Sequence, residues 1–345
     1  MRQHPIGTGP FKFVEFKPNE YVKVARNSDY WRNGRPYLDG IEYTVIPNRS
    51  TAMLSFIAGK FDMTFPFEGT VPLPRDVKAQ APEAICELVP ANASANLIIN
   101  RDAPSFDNPV MRRALALALD RKAFIDILTE GKGDVGGAMQ PLPEGVLGMP
   151  PDMLKSLPGY DPDVQRNRVE ARAIMEKFGY GPDKRLEVKV SERNIAIFRD
   201  PADHPDRPAQ RDLHRWQTRP DRDRQLVSQN LSQKITRSAS ISLGSELMTL
   251  MHSSMRTTPA ARSVTTPGIA VPSCKKMFEQ SMEADQEKRR RLVWEIDRRL
   301  QEDQARPIVY HLRFAACWQN RVKGLRMMVN SVFNGSRFED VWLDK

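Results

Sequence analysis

Residues 203–225, "DHPDRPAQRDLHRWQTRPDRDRQ", limit the fold more than any other stretch of the chain, with six Arg, five Asp, three Pro and two His in 23 residues. Prolines at this density interrupt a helix and remove donors from a β-ladder, and the few apolar residues leave no face to bury. Any core must therefore be assembled from the segments on either side. Just upstream, "RLEVKV" alternates apolar and charged residues as a half-buried strand does, and "IAIF" is a further apolar run. The charge breaks at the same place. Between Asp203 and Lys275, 11 Lys+Arg stand against 6 Asp+Glu, so more than half of the +9 of the whole chain sits in that segment. A basic excess ordinarily suggests anionic partners, and Arg neutralises phosphates, so a nucleic-acid-binding arm at 203–225 is the alternative reading. Arg and Asp nearly balance there, however, and Trp216 is the one ring available to stack on a base. A solvated, disordered segment is the better expectation.

With 345 residues the chain is long enough for two domains with substantial cores. No stretch reaches the roughly 18–20 continuous apolar residues of a membrane-spanning helix. "MRQHPIGTGPF" has no apolar region with a cleavage site, so the chain as given is expected to stay in the cytoplasm. Cys86, Cys274 and Cys317 are odd in number and widely spaced, which predicts neither a disulfide framework nor a zinc site. They are expected to be inert core thiols. His204, His214 and His252 lack metal-ligand spacing. Neither a metal nor another cofactor is expected. "GTGPF" is not a phosphate loop, "RRR" at Arg289–Arg291 reads as a solvated helix face, and no local Ser-His-Asp or Cys-His set supports a hydrolytic enzyme.

The flanking segments carry clear periodicities. "FKFVEF" and "YVKVARN" alternate with period two around the turn "KPNE", which predicts a hairpin. "IEYTVI" and "KFDMTF" read as strands flanking a short helix with Met53, Leu54, Phe56 and Ile57, capped by Ser50. "NLIIN" reads as a buried strand ending at Asn100. The spacing then predicts a helix opened by Asp107 or Asn108 with Pro109 in its first turn. A second helix restarts at Asp120 and ends at Gly131, and a third lies in "DPDVQRNRVEARAIMEKFGYG". A later helix carries Leu292, Val293, Ile296 and Leu300 on one stripe, and "PIVYHLRF", "VKGLRMMV" and "VWL" close the chain as strands. Mixed helices and strands point to an α/β or α+β protein.

Three blocks of this pattern resemble a known family. "GTGPFKFVEFKPNEYVKVARNSDYWRNGRPYLDGIEYTVIPNRSTAMLSFIAGKFDM", "NLIINRDAPSFDNPVMRRALALALDRKAF" and "ARPIVYHLRF" with "VKGL" are similar, in order and spacing, to the extracytoplasmic solute-binding proteins of peptide- and nickel-type ABC importers, solute-binding protein family 5. The resemblance implies an α/β fold, the two-lobed periplasmic-binding-protein type (type II). It also implies a non-enzymatic receptor that closes on a peptide or related solute and hands it to the importer's permease and ATPase subunits. Nucleic acid and membrane insertion are not part of that expectation. It places residues 1–95 in lobe I, 96–202 and 276–306 in lobe III, and 307–345 back in lobe I. Because the G-T-G-P turn comes at residue 7, the chain is expected to correspond to the family's C-terminal part. Asn100, Tyr310 and His311 fall on segments that in the family cross near the ligand cleft, and they are the candidate ligand-binding residues. An acidic group for the ligand's ammonium is expected within 203–275, where no residue can be named.

In that family an amphipathic helix, a strand and an aromatic, Gly/Asn-rich loop would stand where 203–275 stands. Moving the codon boundary by one base across His252–Ala270 leaves each new middle base fixed by the old codons. Permitted codons then yield an aromatic run bearing Asn and Gly. The opposite shift lets 203–223 read as an amphipathic helix with a strand-like end. The segment is therefore expected to be out of frame and disordered, and ligand binding to be lost in a truncated, non-functional copy.

Overall fold

The computed structural model describes residues 5–65, 70–99, 104–193, 214–221, 240–247, 279–280, 282–304, 306–329 and 335–344. The chain divides into two compact units, Met1–Ala91 with Arg313–Lys345, and Asn92–Leu312. Both divisions fall inside strands, a few residues from the 95/96 and 306/307 boundaries expected from the resemblance.

The first unit opens with the anticipated hairpin. Strands β1 (Phe11–Lys17) and β2 (Tyr21–Arg26) pair antiparallel, with Phe16 opposite Val22 and Lys17 opposite Tyr21, and β3 (Gly40–Thr44) adds to β2. Asn19 takes φ +63° in the turn, a left-handed conformation that Asn tolerates. Helix α1 (Arg49–Ile57) is capped by Asn48, whose side chain accepts from the Thr51 amide, and not by Ser50. The reason is positional. Asn48 precedes the first helical residue, whereas Ser50 already lies in the first turn. "KFDMTF" forms an isolated antiparallel bridge, Met63 to Trp318, instead of the expected strand. Helix α2 (Leu73–Gln80) follows, and β4 (Ile85–Ile99) begins well before "NLIIN".

Strand β8 (Ile308–Trp318) explains how the unit's core is divided. Its residues are buried on both faces, which is why "IVYHLRFAACW" reads as a nearly continuous apolar run. Ala315 and Cys317 pack with Phe56, Leu73, Val77 and Ala84. Ala316 and Trp318 point the other way, onto Val322, Leu325, Phe338 and Val341. The cysteine expectation is corrected here, because Cys86 on β4 and Cys317 on β8 form a disulfide across 231 residues of chain. Spacing could not disclose it, since the pairing depends on two strands meeting. Strands β9 (Val322–Lys323) and β10 (Trp342–Leu343) pair after a 3-10 turn at Gly335–Asp340.

The second unit follows the predicted helices closely. Asn108 caps α3 (Pro109–Ala118), and its side chain accepts from the Val110 amide with Pro109 at the first position. Asp120 caps α4 (Arg121–Thr129), which ends through left-handed Glu130 and Gly131. A short α5 (Pro151–Lys155) leads to α6 (Val164–Lys177), capped by Asp163, and Asp285 caps α7 (Gln286–Asp303). Val293 and Ile296 are the buried members of the α7 stripe.

The five-stranded sheet runs in the order β6–β5–β7–β4–β8. Strand β5 (Leu186–Arg193) pairs parallel with β6 (His214–Asp221) and β7 (Ser240–Leu247), and β7 pairs antiparallel with β4. Two stretches within 203–275 are thus paired strands where disorder was expected. A ladder is made by backbone groups and needs no apolar periodicity, and β6 lies at the sheet edge, the place in a sheet where a proline such as Pro220 is tolerated. The rest of that segment, with "IAIF", His204, His252 and Cys274, lies outside the described residues.

Candidate functional site

Two glycines place a loop against β8. A Cβ on Gly136 would come within 2.9 Å of the His311 ring, and one on Gly137 within 2.3 Å of Asp297 Oδ2. Only residues without side chains allow this approach. The loop then bonds at both contacts. The His311 amide donates to the Asp134 carbonyl at 2.8 Å, and His311 Nε2 lies 2.9 Å from the Gly137 carbonyl oxygen. That oxygen only accepts, so Nε2 carries the proton. Nδ1 is then the acceptor nitrogen, and it has no hydrogen-bond partner among the described residues.

Asp297, on α7, holds the next two residues of the loop. Its Oδ1 accepts from the Ala138 amide at 2.7 Å and from Gln301 Nε2 at 3.2 Å, and its Oδ2 lies 3.4 Å from the Met139 amide. The Tyr160 hydroxyl is 3.0 Å from the Gly136 carbonyl and 3.1 Å from Gln301 Oε1, both acceptors that compete for its one proton. Arg121 stacks over the Tyr160 ring at 4.0 Å and donates to the carbonyls of Ile308 at 2.9 Å and Gly159 at 2.5 Å. One helix start, one loop and the first residues of β8 are thereby joined.

Burial sets the electrostatics of this cluster. It pushes the Asp297 carboxyl above its ordinary value despite the amides that favour its charge. It raises the Tyr160 phenol to about 12 and lowers the His311 imidazole. Burial also lowers Arg121, which Tyr160 partly offsets. His311 is therefore neutral at neutral pH, a hydrogen-bond donor rather than a cation.

Of the three candidate ligand residues, Asn100 lies outside the described residues. Tyr310 and His311 are adjacent on β8, and both are buried, His311 completely. The structure adds Arg121, Tyr160, Asp297 and the two glycines around His311. Asp297 is inconspicuous in the sequence because it sits among the charges of α7, and Gly136–Gly137 because a glycine pair in a loop is common. The arrangement is chemically a clamp: it holds a loop to a strand and offers no nucleophile beside a base. Among the described residues no group of three or more His, Cys, Asp or Glu is placed to hold a metal ion, and no helix is long and apolar enough to cross a membrane.

Comparison with known proteins sets this architecture in context. Residues 1–210 match the family described as bacterial extracellular solute-binding proteins, family 5 middle. The chain is 37% identical over 136 residues to the oligopeptide-binding protein AppA of Bacillus subtilis, covering 39% of this chain and 24% of that protein. It is 30% identical over 179 residues to the nickel-binding periplasmic protein of Escherichia coli, covering 51% and 32%. The aligned stretches thus span about a quarter to a third of these relatives' own length. In fold, it superposes on AppA of Bacillus subtilis in complex with a nonapeptide with a TM-score of 0.75 at 18% identity, over 99% of this chain and 67% of that one. NikA from Brucella suis in complex with Fe(III)-EDTA gives a TM-score of 0.73 at 18% identity, over 99% and 69%. The α/β architecture is that of the two-lobed periplasmic binding proteins.

Proposed function

Because the chain belongs to the bacterial extracellular solute-binding proteins of family 5, a family of receptors and not of enzymes, we propose that it is the substrate-binding component of an ABC importer for peptides or related solutes. One observation carries the reading, the continuous family match through residues 1–210. Peptide is favoured over metal because peptide-binding proteins recur among the relatives, an oligopeptide-binding and a di/tripeptide-binding one against a nickel-binding one. The role is extracytoplasmic, and the partners are the importer's permease and ATPase subunits. The chain itself catalyses no reaction.

In this reading His311 is a positioning residue that holds the 134–138 loop on β8, and Asn100 and Tyr310 are the candidates that meet ligand directly. A carboxylate pairing with a peptide's ammonium would supply a charge-assisted contact. Its place is within 203–275, and the family match stops at residue 210, just inside that segment. We therefore expect the chain with its present 203–275 sequence to show no melting shift with di- or oligopeptides. A version in which that segment is restored from the alternative frames of the gene should shift by several degrees. A shift with the present sequence would overturn the loss of binding, and no shift in the restored chain would overturn the peptide role. Resequencing that finds no alternative frame encoding a helix and an aromatic loop would sink the frame reading alone.

A further inference from the structure

Three guanidinium groups and two carboxylates meet on the first unit where the 30–37 loop reaches the 3-10 turn before β10. Arg35 Nε donates to Asp340 Oδ1 at 2.8 Å. Arg32 Nη1 lies 3.4 Å from Glu339 Oε1 and 3.9 Å from Asp340 Oδ2, and Arg337 Nε is 3.4 Å from the same Glu339 oxygen. Three positive charges face two negative ones, and the signs are layered. The Glu339 side chain is 12% exposed, whereas that of Arg337 is 50% exposed, so this acid lies inside and the excess cation faces out, while Asp340 is as open as Arg32 and Arg35. The hydrogen bond from Arg35 holds the Asp340 carboxyl below its usual value, so its charge is committed within the cluster.

Aromatic rings border the same cluster. The Arg35 guanidinium lies 3.9 Å from the Tyr37 ring centroid, and that of Arg32 lies 5.7 Å from the Trp31 ring. Trp31 is 75% exposed, and Tyr37 and Trp342 are each more than a third exposed. Trp and Tyr beside Arg, with the guanidinium groups held by Glu339 and Asp340, is the composition that dominates binding energy at protein–protein interfaces.

We propose that Trp31, Arg32, Tyr37, Arg337 and Trp342 form a docking surface for a carboxylate-bearing loop of a partner protein. Arg32 and Arg337 meet the acids of the cluster only at 3.4 Å or more, so each keeps donors for a bidentate contact with an incoming acid. An anionic membrane is the poorer fit, because lipid-binding patches gather roughly 4–8 Lys or Arg, and here three Arg stand beside two acids. The surface is argued from its own residues. It rests on the importer reading solely in that a permease would be a natural bearer of such a loop, and it stands whichever solute the chain carries.

The test uses the full chain and a fluorescein-labelled peptide of alternating Asp and Glu with one central Trp, read by anisotropy at low salt. The unaltered chain should bind saturably. The R32E/R337E pair should weaken binding at least tenfold. K122E/K155E, the same charge change on exposed residues of the second unit, should alter it less than twofold. Trp31→Ala, which changes no charge and removes an exposed ring, should cost threefold or more. Equal losses from both charge pairs, or an unaffected Trp31→Ala, would mean that the net charge alone attracts the peptide, and would overturn the proposal. So would the absence of peptide binding. Retention on phosphatidylglycerol vesicles that is lost in Trp31→Ala, without peptide binding, would assign the surface to lipid and overturn it as well.

Discussion

His311 carries a pH dependence whose sign follows from its surroundings. Burial lowers its folded pKa, with the Gly137 carbonyl and Asp134 working against that shift. A histidine held neutral in the fold contributes its full stability above its unfolded value of about 6.5, and that contribution falls as pH drops from there toward the folded pKa. Melting temperature should therefore decline between pH 7 and pH 5. Replacing His311 with Gln, an uncharged donor, should flatten the decline, and an unchanged profile would count against the assignment. Gly137 is constrained by a different force. A Cβ there would sit 2.3 Å from Asp297 Oδ2 and 2.6 Å from Oδ1, and the carboxylate is pinned by the Ala138 amide. Gly137→Ala should lower the denaturant-derived stability by about 2–3 kcal/mol, the cost of overpacking a fixed interior. Helix caps were the residues legible from sequence, because Asn108 and Asp120 bond within three residues of themselves. Gly136, Gly137 and Asp297 were not, because the contacts that pin the loop, Asp297 to Ala138 and His311 to Gly137, join residues more than 150 apart in the chain.

Elements in the second unit are joined by an arginine that reads as ordinary in a helix sequence. Arg112, buried on α3, donates from Nε to the Asp303 carbonyl at 2.9 Å and from Nη2 to Asp303 Oδ1 at 2.8 Å. Its Nη1 reaches the Phe106 carbonyl at 2.9 Å and the Asp107 carbonyl at 3.2 Å. The cation thus satisfies carbonyls in the turn before α3 and at the end of α7, where the helix dipole favours positive charge. Arg112→Met should cost about 3 kcal/mol in urea unfolding, the low end for a broken buried pair because Asp303 retains access to water. A loss below about 1 kcal/mol would show that the carbonyls re-pair without it. The elements flanking Arg112 were readable from periodicity and capping. Strand β6 was not, because its pairing expresses backbone hydrogen bonds that leave no alternation in "HRWQTRPD", and the short Ile241–Leu243 alternation of β7 lies within a segment whose composition reads as disordered.

For the whole molecule, the Cys86–Cys317 disulfide is the constraint that spans most of the chain. It joins β4 to β8 within the first unit, beside Phe56, Leu73 and Val77. Closing so long a loop restricts the unfolded chain, and Cys86→Ala/Cys317→Ala should cost roughly 2–5 kcal/mol. The same fall in melting temperature should follow addition of a reductant to the unaltered protein and be absent in the double variant. Fold class and family were legible because they rest on order: a hairpin, capped helices and a buried strand in a fixed succession, each marked by local periodicity and turn chemistry. The sequence by itself determined those elements, their caps and their kinship, since all depend on residues close together in the chain. Which strands meet at the disulfide, which loop His311 and Asp297 hold, and which arginine bridges α3 to α7 were decided by tertiary structure alone. Those contacts join residues that packing brings together, and packing leaves no periodic trace at either end.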